Sequence, residues 1–182
     1  MWRNVFLIFT LTILFTSLST SQPERHMTPT IGSKAPEFTL FDTDRKPRSL
    51  KEFAGKKLIL AFYPGAFTGA CTKEMCAMRD ALASFNAMKA QVVGISVDSP
   101  FANKAFADQN KLTFPLLSDF TRETSKKYAG VYDGFGGLTG YEASKRAVFI
   151  LDASGVVKYI WVTEVPGNEP PYDEIKKALE SF

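Results

Sequence analysis

Apolar runs of strand length alternate with amphipathic, helix-like segments along most of the chain. The continuous apolar run at residues 58–63 and the largely apolar segments at 91–97 and 147–151 predict buried strands. Between the first two, apolar side chains recur at steps of four, three, four and three, on Cys71, Met75, Met78, Leu82 and Phe85. This periodicity predicts a helix that turns one stripe toward a core.

The remaining segments complete a strand and helix alternation. A capping box formed by Ser49 and Glu52 predicts a short helix that ends near Gly55. The sequence further predicts helices at residues 100–110, 121–128 and 173–182, an extended segment at 114–117, and a hairpin of strands 147–151 and 156–161. The prediction is one α/β domain in which helices flank a mixed central sheet, a three-layer sandwich.

Composition narrows the possible functions. The 182 residues are 45% hydrophobic and 13% aromatic with a net charge of +3, which argues against disorder and against a nucleic-acid-binding protein. The chain has one histidine, His26, and two cysteines, Cys71 and Cys76. These are too few for a structural zinc site, and they disfavour a haem ligand and a Cys–His nucleophile pair. No metal or other cofactor is expected.

The amino-terminal segment has the layout of a secretory signal. Arg3 precedes an apolar run at residues 5–15, and small residues follow up to Ser21. We therefore expect a signal peptide at residues 1–21, a tail at 22–33, a folded domain at 34–182, and an exported protein (periplasmic, extracellular or membrane-anchored). The run is short for a bilayer span, so no integral membrane domain is expected after cleavage. An uncleaved anchor and a cytoplasmic protein that starts at Met27 are the alternatives.

Cys71 occupies the position with the clearest chemical meaning. A buried strand ends at Tyr63, a Pro/Gly loop follows, and a helix begins near Cys71. Unpaired backbone N–H groups and the helix dipole favour a thiolate over a thiol in a first turn. A nearby cation would add to this effect.

The run Pro64-x-x-x-Thr68-x-x-Cys71 resembles the active-site motif of the peroxiredoxins. A second cysteine five positions on, Cys76, resembles the bacterioferritin-comigratory or Q type of this alkyl hydroperoxide reductase/thiol-specific antioxidant superfamily. The resemblance extends from about residue 31 to the final helix. It implies a thioredoxin-like fold, reduction of hydrogen peroxide and small organic hydroperoxides, and re-reduction by a thioredoxin-like partner. We expect a monomer or weak dimer.

The resemblance also implies a role for each site residue. Cys71 would be the peroxidatic cysteine and Cys76 the resolving one. Thr68 would bond to the peroxide and the thiolate, and Pro64 would shield the sulfur. Arg146, beside a predicted strand, would stabilise the thiolate and polarise the departing oxygen. Glu74 would support these groups without contacting the peroxide itself.

The spacing of the cysteines has a mechanical consequence. In an intact helix, positions i and i+5 lie roughly 8.7 Å apart at Cα, beyond the roughly 7 Å that a disulfide spans. A Cys71–Cys76 disulfide would therefore require the helix start to unwind.

A thioredoxin-like disulfide oxidoreductase and a peroxide-responsive sensor or holdase are the alternative functions.

Two other segments have simpler interpretations. Arg79 and Asp80 are expected to form structural ion pairs. The glycines at 134, 136, 137 and 140 lack the context of a phosphate loop, so we expect a loop near the active-site entrance.

Overall fold

A computed structural model describes residues 28–182. Its strands are β1 (Thr39–Asp42), β2 (Pro47–Ser49), β3 (Lys57–Phe62), β4 (Ala90–Ser96), β5 (Leu116–Ser118), β6 (Val131–Tyr132), β7 (Ala143–Ser144), β8 (Ala147–Leu151) and β9 (Val157–Val162). Its helices are α1 (Gly69–Asp80), α2 (Leu82–Ala87), α3 (Pro100–Asn110), α4 (Glu123–Tyr128) and α5 (Tyr172–Glu180), and short 3-10 helices lie at Leu50–Phe53 and Phe135–Gly137.

Seven of these strands form one mixed sheet. Their order is β2-β1-β5-β4-β3-β8-β9, and β6 pairs separately with β7. Strands β3, β4 and β5 run parallel, whereas β8 is antiparallel to β3. The carboxyl ends of the parallel strands and the amino end of β8 therefore meet at one edge of the sheet.

Apolar side chains on the two faces of the sheet form two cores. Along β3, Leu58, Leu60 and Phe62 face one core, which α4 covers with Tyr128. The intervening Ile59 and Ala61 face the other core. That second core is covered by the apolar side chains of α1, α2, α3 and α5. The predicted three-layer α/β sandwich with a mixed sheet is confirmed.

The stripe predicted on one helix is divided between two. The chain leaves the helix at Ala81, so Cys71, Met75 and Met78 lie on α1 and Phe85 lies on α2. The stripe survives this break because the Phe85 N–H still donates to the Ala81 carbonyl, at 3.0 Å, and Phe85 remains buried. The helix predicted from the capping box is a 3-10 helix, with Glu52 accepting the Ser49 N–H at 2.7 Å.

The hairpin of β1 and β2 was missed by the sequence analysis because its strands are only four and three residues long. The predictions for residues 1–21, Met27 and His26 lie outside the described residues. Within residues 28–182, none of the helices is long and apolar enough to cross a membrane.

Candidate active site

Cys71 lies at the start of helix α1, which follows strand β3 in the interior of the sheet. The loop of residues 63–68 joins the two elements, and Cys71 is the third residue of the helix, with a fully buried side chain. The first backbone hydrogen bond at this end runs from the Thr72 N–H to the Thr68 carbonyl, at 2.9 Å. The N–H groups that precede it have no acceptor inside the helix, so the positive end of the α1 dipole lies at the sulfur.

Strand register brings Arg146 to the same place. Ala147, the first residue of β8, pairs with Phe62, the last residue of β3. Arg146 therefore lies beside the start of the cysteine loop, although 75 positions separate it from Cys71. Its Nη2 donates to the Cys71 Sγ at 3.3 Å, and the guanidinium is almost completely buried.

The other donors of Arg146 are held by two partners. Nε and Nη2 donate to the Pro166 carbonyl at 3.2 and 2.7 Å, and Nη1 donates to Glu74 Oε2. Burial alone would lower the pKa of Arg146, but the negative charges of Glu74 and Cys71 outweigh it and raise that pKa. The guanidinium therefore keeps its charge, and its fixed plane presents one N–H to the sulfur.

Glu74 is a fully buried carboxyl group one helical turn beyond Cys71. Burial raises its pKa to about 7 and outweighs the opposing charge of Arg146. Within residues 28–182, its Oε1 has no hydrogen-bond partner. Glu74 thus anchors Arg146 through one oxygen. With a pKa of about 7, its carboxyl group is partly protonated at neutral pH.

Thr68 and Pro64 frame the loop. Pro64 is buried, and the Thr68 hydroxyl donates to the Gly65 carbonyl at 3.0 Å, so its oxygen retains acceptor capacity. Between them, Phe67 has a φ of 64°, in the left-handed region. For a residue with a side chain this conformation costs about 1–2 kcal/mol, so other contacts must hold the loop in place.

Cys76 lies further along α1, away from the buried stripe. Its side chain is half-buried, and its Sγ lies 3.9 Å from Asn110 Oδ1 at the end of α3. Both cysteines are free thiols. Since both lie inside the α1 helix, helical geometry separates their Cα atoms by about 8.7 Å, too far for a disulfide.

Arg79 and Asp80, near the end of the same helix, form the expected ion pair, with Nη2 and Oδ1 2.8 Å apart. Arg79 also donates to the Asn110 carbonyl at 2.6 Å, which links α1 to the end of α3.

The glycine-rich segment borders the cysteine loop. A Cβ added at Gly65 would lie 3.8 Å from the Phe135 ring, so this segment approaches the loop as expected. Gly134, Gly136, Gly137 and Gly140 all have positive φ, so the backbone turns repeatedly and forms only the three-residue 3-10 helix at Phe135–Gly137. Among residues 28–182, no group of three or more His, Cys, Asp and Glu side chains is placed to hold a metal ion.

Three groups that support the site were not predicted from the sequence. The Pro166 carbonyl binds Arg146, the Tyr132 hydroxyl accepts the Arg146 N–H at 3.3 Å, and Asp98 Oδ2 accepts the Ala66 N–H at 2.8 Å. A backbone carbonyl leaves no signal in a sequence. The two side chains come from distant segments, and no local pattern marks them.

Comparison with known proteins gives consistent matches. The model of the AhpC/TSA family matches residues 31–160. Peroxiredoxin Q, chloroplastic, from Sedum lineare is 41% identical over 153 residues, which cover 84% of this chain and 79% of that protein. The protein of the same name from Populus jackii is 41% identical over 151 residues, covering 83% of this chain and 68% of the relative.

Solved structures share the architecture. Peroxidoxin BcpB from Mycobacterium tuberculosis aligns with a TM-score of 0.74 at 30% identity, covering 85% of this chain and 98% of that one. The reduced 2-Cys peroxiredoxin of Plasmodium vivax aligns with a TM-score of 0.73 at 29% identity, covering 84% and 82%. The expected thioredoxin-like fold is confirmed.

Proposed function

Because the chain belongs to the AhpC/TSA family and is a thiol-dependent peroxidase, we propose that Cys71 is its peroxidatic cysteine and Arg146 the cation that activates it. The observation that supports this most directly is the buried Cys71 sulfur at the start of α1, 3.3 Å from a buried guanidinium. A purely structural cysteine is an inert, apolar neighbour of other apolar groups. Burying an arginine costs several kcal/mol unless charged and polar partners offset its desolvation, and the Cys71 sulfur is one of the partners of Arg146.

The proposed first step is attack of the Cys71 thiolate on the terminal oxygen of a hydroperoxide. An S–O bond forms, the O–O bond breaks, and the departing alkoxide or hydroxide takes up a proton to become an alcohol or water. Cys71 becomes a sulfenic acid. Arg146 is placed to stabilise the thiolate beforehand and the charge that develops on the departing oxygen. The Thr68 oxygen, on the loop that precedes the helix of Cys71, retains the acceptor capacity to bind the hydrogen of the peroxide.

Cys76 is the proposed resolving residue. Its thiol attacks the sulfenic sulfur of Cys71, an S–S bond forms, and water leaves. The distance imposed by α1 prevents this step in the folded helix, so the turns between the cysteines must unwind first. A thioredoxin-type dithiol then reduces the disulfide by thiol–disulfide exchange and is itself oxidised.

Intact mass after one equivalent of hydrogen peroxide tests this cycle. Wild-type protein should lose two hydrogens, whereas Cys76→Ser should gain one oxygen, which dimedone traps on Cys71. Cys71→Ser, the matched control, should show neither change. A stable sulfenic acid in the wild type would reject Cys76 as the resolving residue. Oxidation of Cys71→Ser at the wild-type rate would reject Cys71.

We further propose that residues 1–21 are a targeting segment, ahead of a tail at 22–33 and a thioredoxin-like domain at 34–182. The signal-like pattern supports export, whereas relatives whose names include "chloroplastic" support an organelle. Amino-terminal sequencing of the native protein distinguishes a start near residue 22 from a start at Met1 or Met27. Sedimentation of the same material tests the proposed monomer or weak dimer.

A further inference from the structure

Asp98 connects the cysteine loop to the neighbouring strand. It follows β4 by two residues, and its Oδ2 accepts the Ala66 N–H at 2.8 Å, across 32 positions of sequence. Ala66 lies midway between Pro64 and Thr68, so this hydrogen bond is made to the centre of the loop.

The backbone of Asp98 is itself fixed from two sides. Its N–H donates to Ser96 Oγ at 3.2 Å, and its carbonyl accepts the Ser118 hydroxyl. Ser96 and Ser118 are the paired last residues of the parallel strands β4 and β5, and both are buried. The carboxylate is therefore presented to the loop from the rigid end of the sheet.

The loop needs such a support because of its own geometry. Phe67 has a positive φ, and about half of the residue is exposed. Its ring makes an edge-on contact with the Phe106 ring, with the two ring centroids 5.3 Å apart. Directly after it, Thr68 is fixed to the helix, since its carbonyl accepts both the N–H and the hydroxyl of Thr72. The Ala66–Asp98 hydrogen bond secures the other side of this strained turn.

We propose that Asp98 is a positioning residue for peroxide reduction, which acts by holding the turn that carries Thr68, three residues ahead of Cys71. This inference rests on the proposed function of Cys71 and Thr68. The contribution comes from the acceptor oxygen and not from the charge, because a negative charge near the loop would oppose a thiolate rather than favour it. An asparagine offers an uncharged oxygen in the same place, so Asp98→Asn should keep the function of Asp98.

The first test compares second-order rate constants for hydrogen peroxide at pH 7. Asp98→Ala should react about tenfold more slowly than wild type, and Asp98→Asn should stay within twofold. Asp108→Ala, which removes an exposed carboxylate from α3, is the matched control and should not change the rate. If Asp98→Ala does not fold, Asp98→Ser, whose side chain is too short to reach Ala66, takes its place with the same expectation.

A double-mutant cycle with Thr68→Val shows whether Asp98 acts through Thr68. The Asp98→Ala change should cost about tenfold in the wild-type background and less than twofold in Thr68→Val. Independent, multiplicative effects would overturn the proposal, as would an Asp98→Asn variant that is as slow as Asp98→Ala. Failure of the proposed function is a separate result, because Cys71→Ser would then keep its peroxidase activity whatever residue occupies position 98.

Discussion

Arg146 has one of the largest side chains buried in the described residues, and its environment explains how a full charge is tolerated there. Desolvation of a guanidinium costs several kcal/mol, and charge-assisted hydrogen bonds contribute about 1.5–3 kcal/mol each. Contacts to Glu74, Pro166 and the Cys71 sulfur offset that cost. The ion pair is thus best understood as a support for the thiolate, with little net effect on the stability of the fold.

The raised pKa of Glu74 predicts a pH-dependent stability. Its carboxyl group titrates near 4.5 when exposed and at about 7 when buried here. Between these values the folded protein holds a proton that the unfolded chain has lost, so this contribution is complete below pH 4.5 and is lost as pH rises to 7. The full change is on the order of 3 kcal/mol.

Glu74→Gln should remove this dependence. Urea unfolding at pH 5 and pH 8 measures the difference in unfolding free energy between wild type and variant. That difference should shift in favour of Glu74→Gln at the higher pH, because the glutamine carries no proton to lose. A difference that is the same at both pH values would show that the Glu74 pKa is not raised.

At the scale of elements, α1 both holds Cys71 and keeps it apart from Cys76. We expect backbone amides of residues 72–76 to exchange with deuterium at least tenfold faster in the disulfide form than in the reduced form. The reason is that the S–S bond cannot close while these turns are helical. Hydrogen exchange with mass spectrometry measures this directly.

Peroxide-treated Cys76→Ser is the control for that measurement. It carries the oxidation on Cys71 but cannot form the bond, so its α1 amides should remain protected. Equal protection of α1 in the reduced and disulfide forms would contradict the unwinding step.

Gly94 in β4 permits close packing with Leu116 of β5 and Met75 of α1. A Cβ at this position would lie 2.6 Å from Leu116 Cδ2 and 3.3 Å from Met75 Sδ, so both of these side chains would have to move. Gly94→Ala should lower the unfolding free energy by about 1–3 kcal/mol. Gly167→Ala, where a Cβ would meet nothing within 4 Å, is the control and should be close to neutral. Chemical denaturation of both variants tests the close contact, and an unchanged Gly94→Ala would refute it.

At the scale of the whole molecule, stability and catalysis should be separable. Helix α5 docks on β8 and β9, and its Ile175 and Leu179 belong to the same core as α1 but are not among the groups that hydrogen-bond to the Cys71 sulfur or to Arg146. Leu179→Ala should lower the unfolding free energy by about 2–5 kcal/mol and leave the rate constant with hydrogen peroxide within twofold of wild type. Denaturation and peroxide kinetics on one preparation check both. A proportional loss of activity would show that the site depends on global stability.

The features that could be predicted from the sequence are those that a local pattern of residues determines. Strand β3 and the α1 stripe follow from uninterrupted apolar runs and a regular period, and the cysteine motif needs only eight consecutive positions. The break at Ala81 and the β1–β2 hairpin were not predictable, since the break leaves the apolar period intact and the hairpin strands are very short.

The contacts that hold the site residues in place could not be predicted from the sequence either, for a different reason. The role of Arg146 was predicted from the family resemblance, but its Pro166 carbonyl partner has no side-chain signature. Asp98 and Tyr132 reach the site only because strand register and loop paths bring distant segments together. Such contacts belong to the tertiary fold and leave no periodic trace in the chain.

The most direct test of the account is the rate constant for oxidation of Cys71 by hydrogen peroxide at pH 7, measured in Cys76→Ser with and without Arg146→Gln. Glu74 can take up a proton when its partner is removed, so the double variant should fold, which circular dichroism verifies. Loss of the guanidinium should slow the reaction at least a hundredfold, while Lys145→Gln, which changes the neighbouring surface cation, should have no effect. A rate within threefold of the parent in the Arg146→Gln protein would contradict the claim that the buried guanidinium activates the Cys71 sulfur.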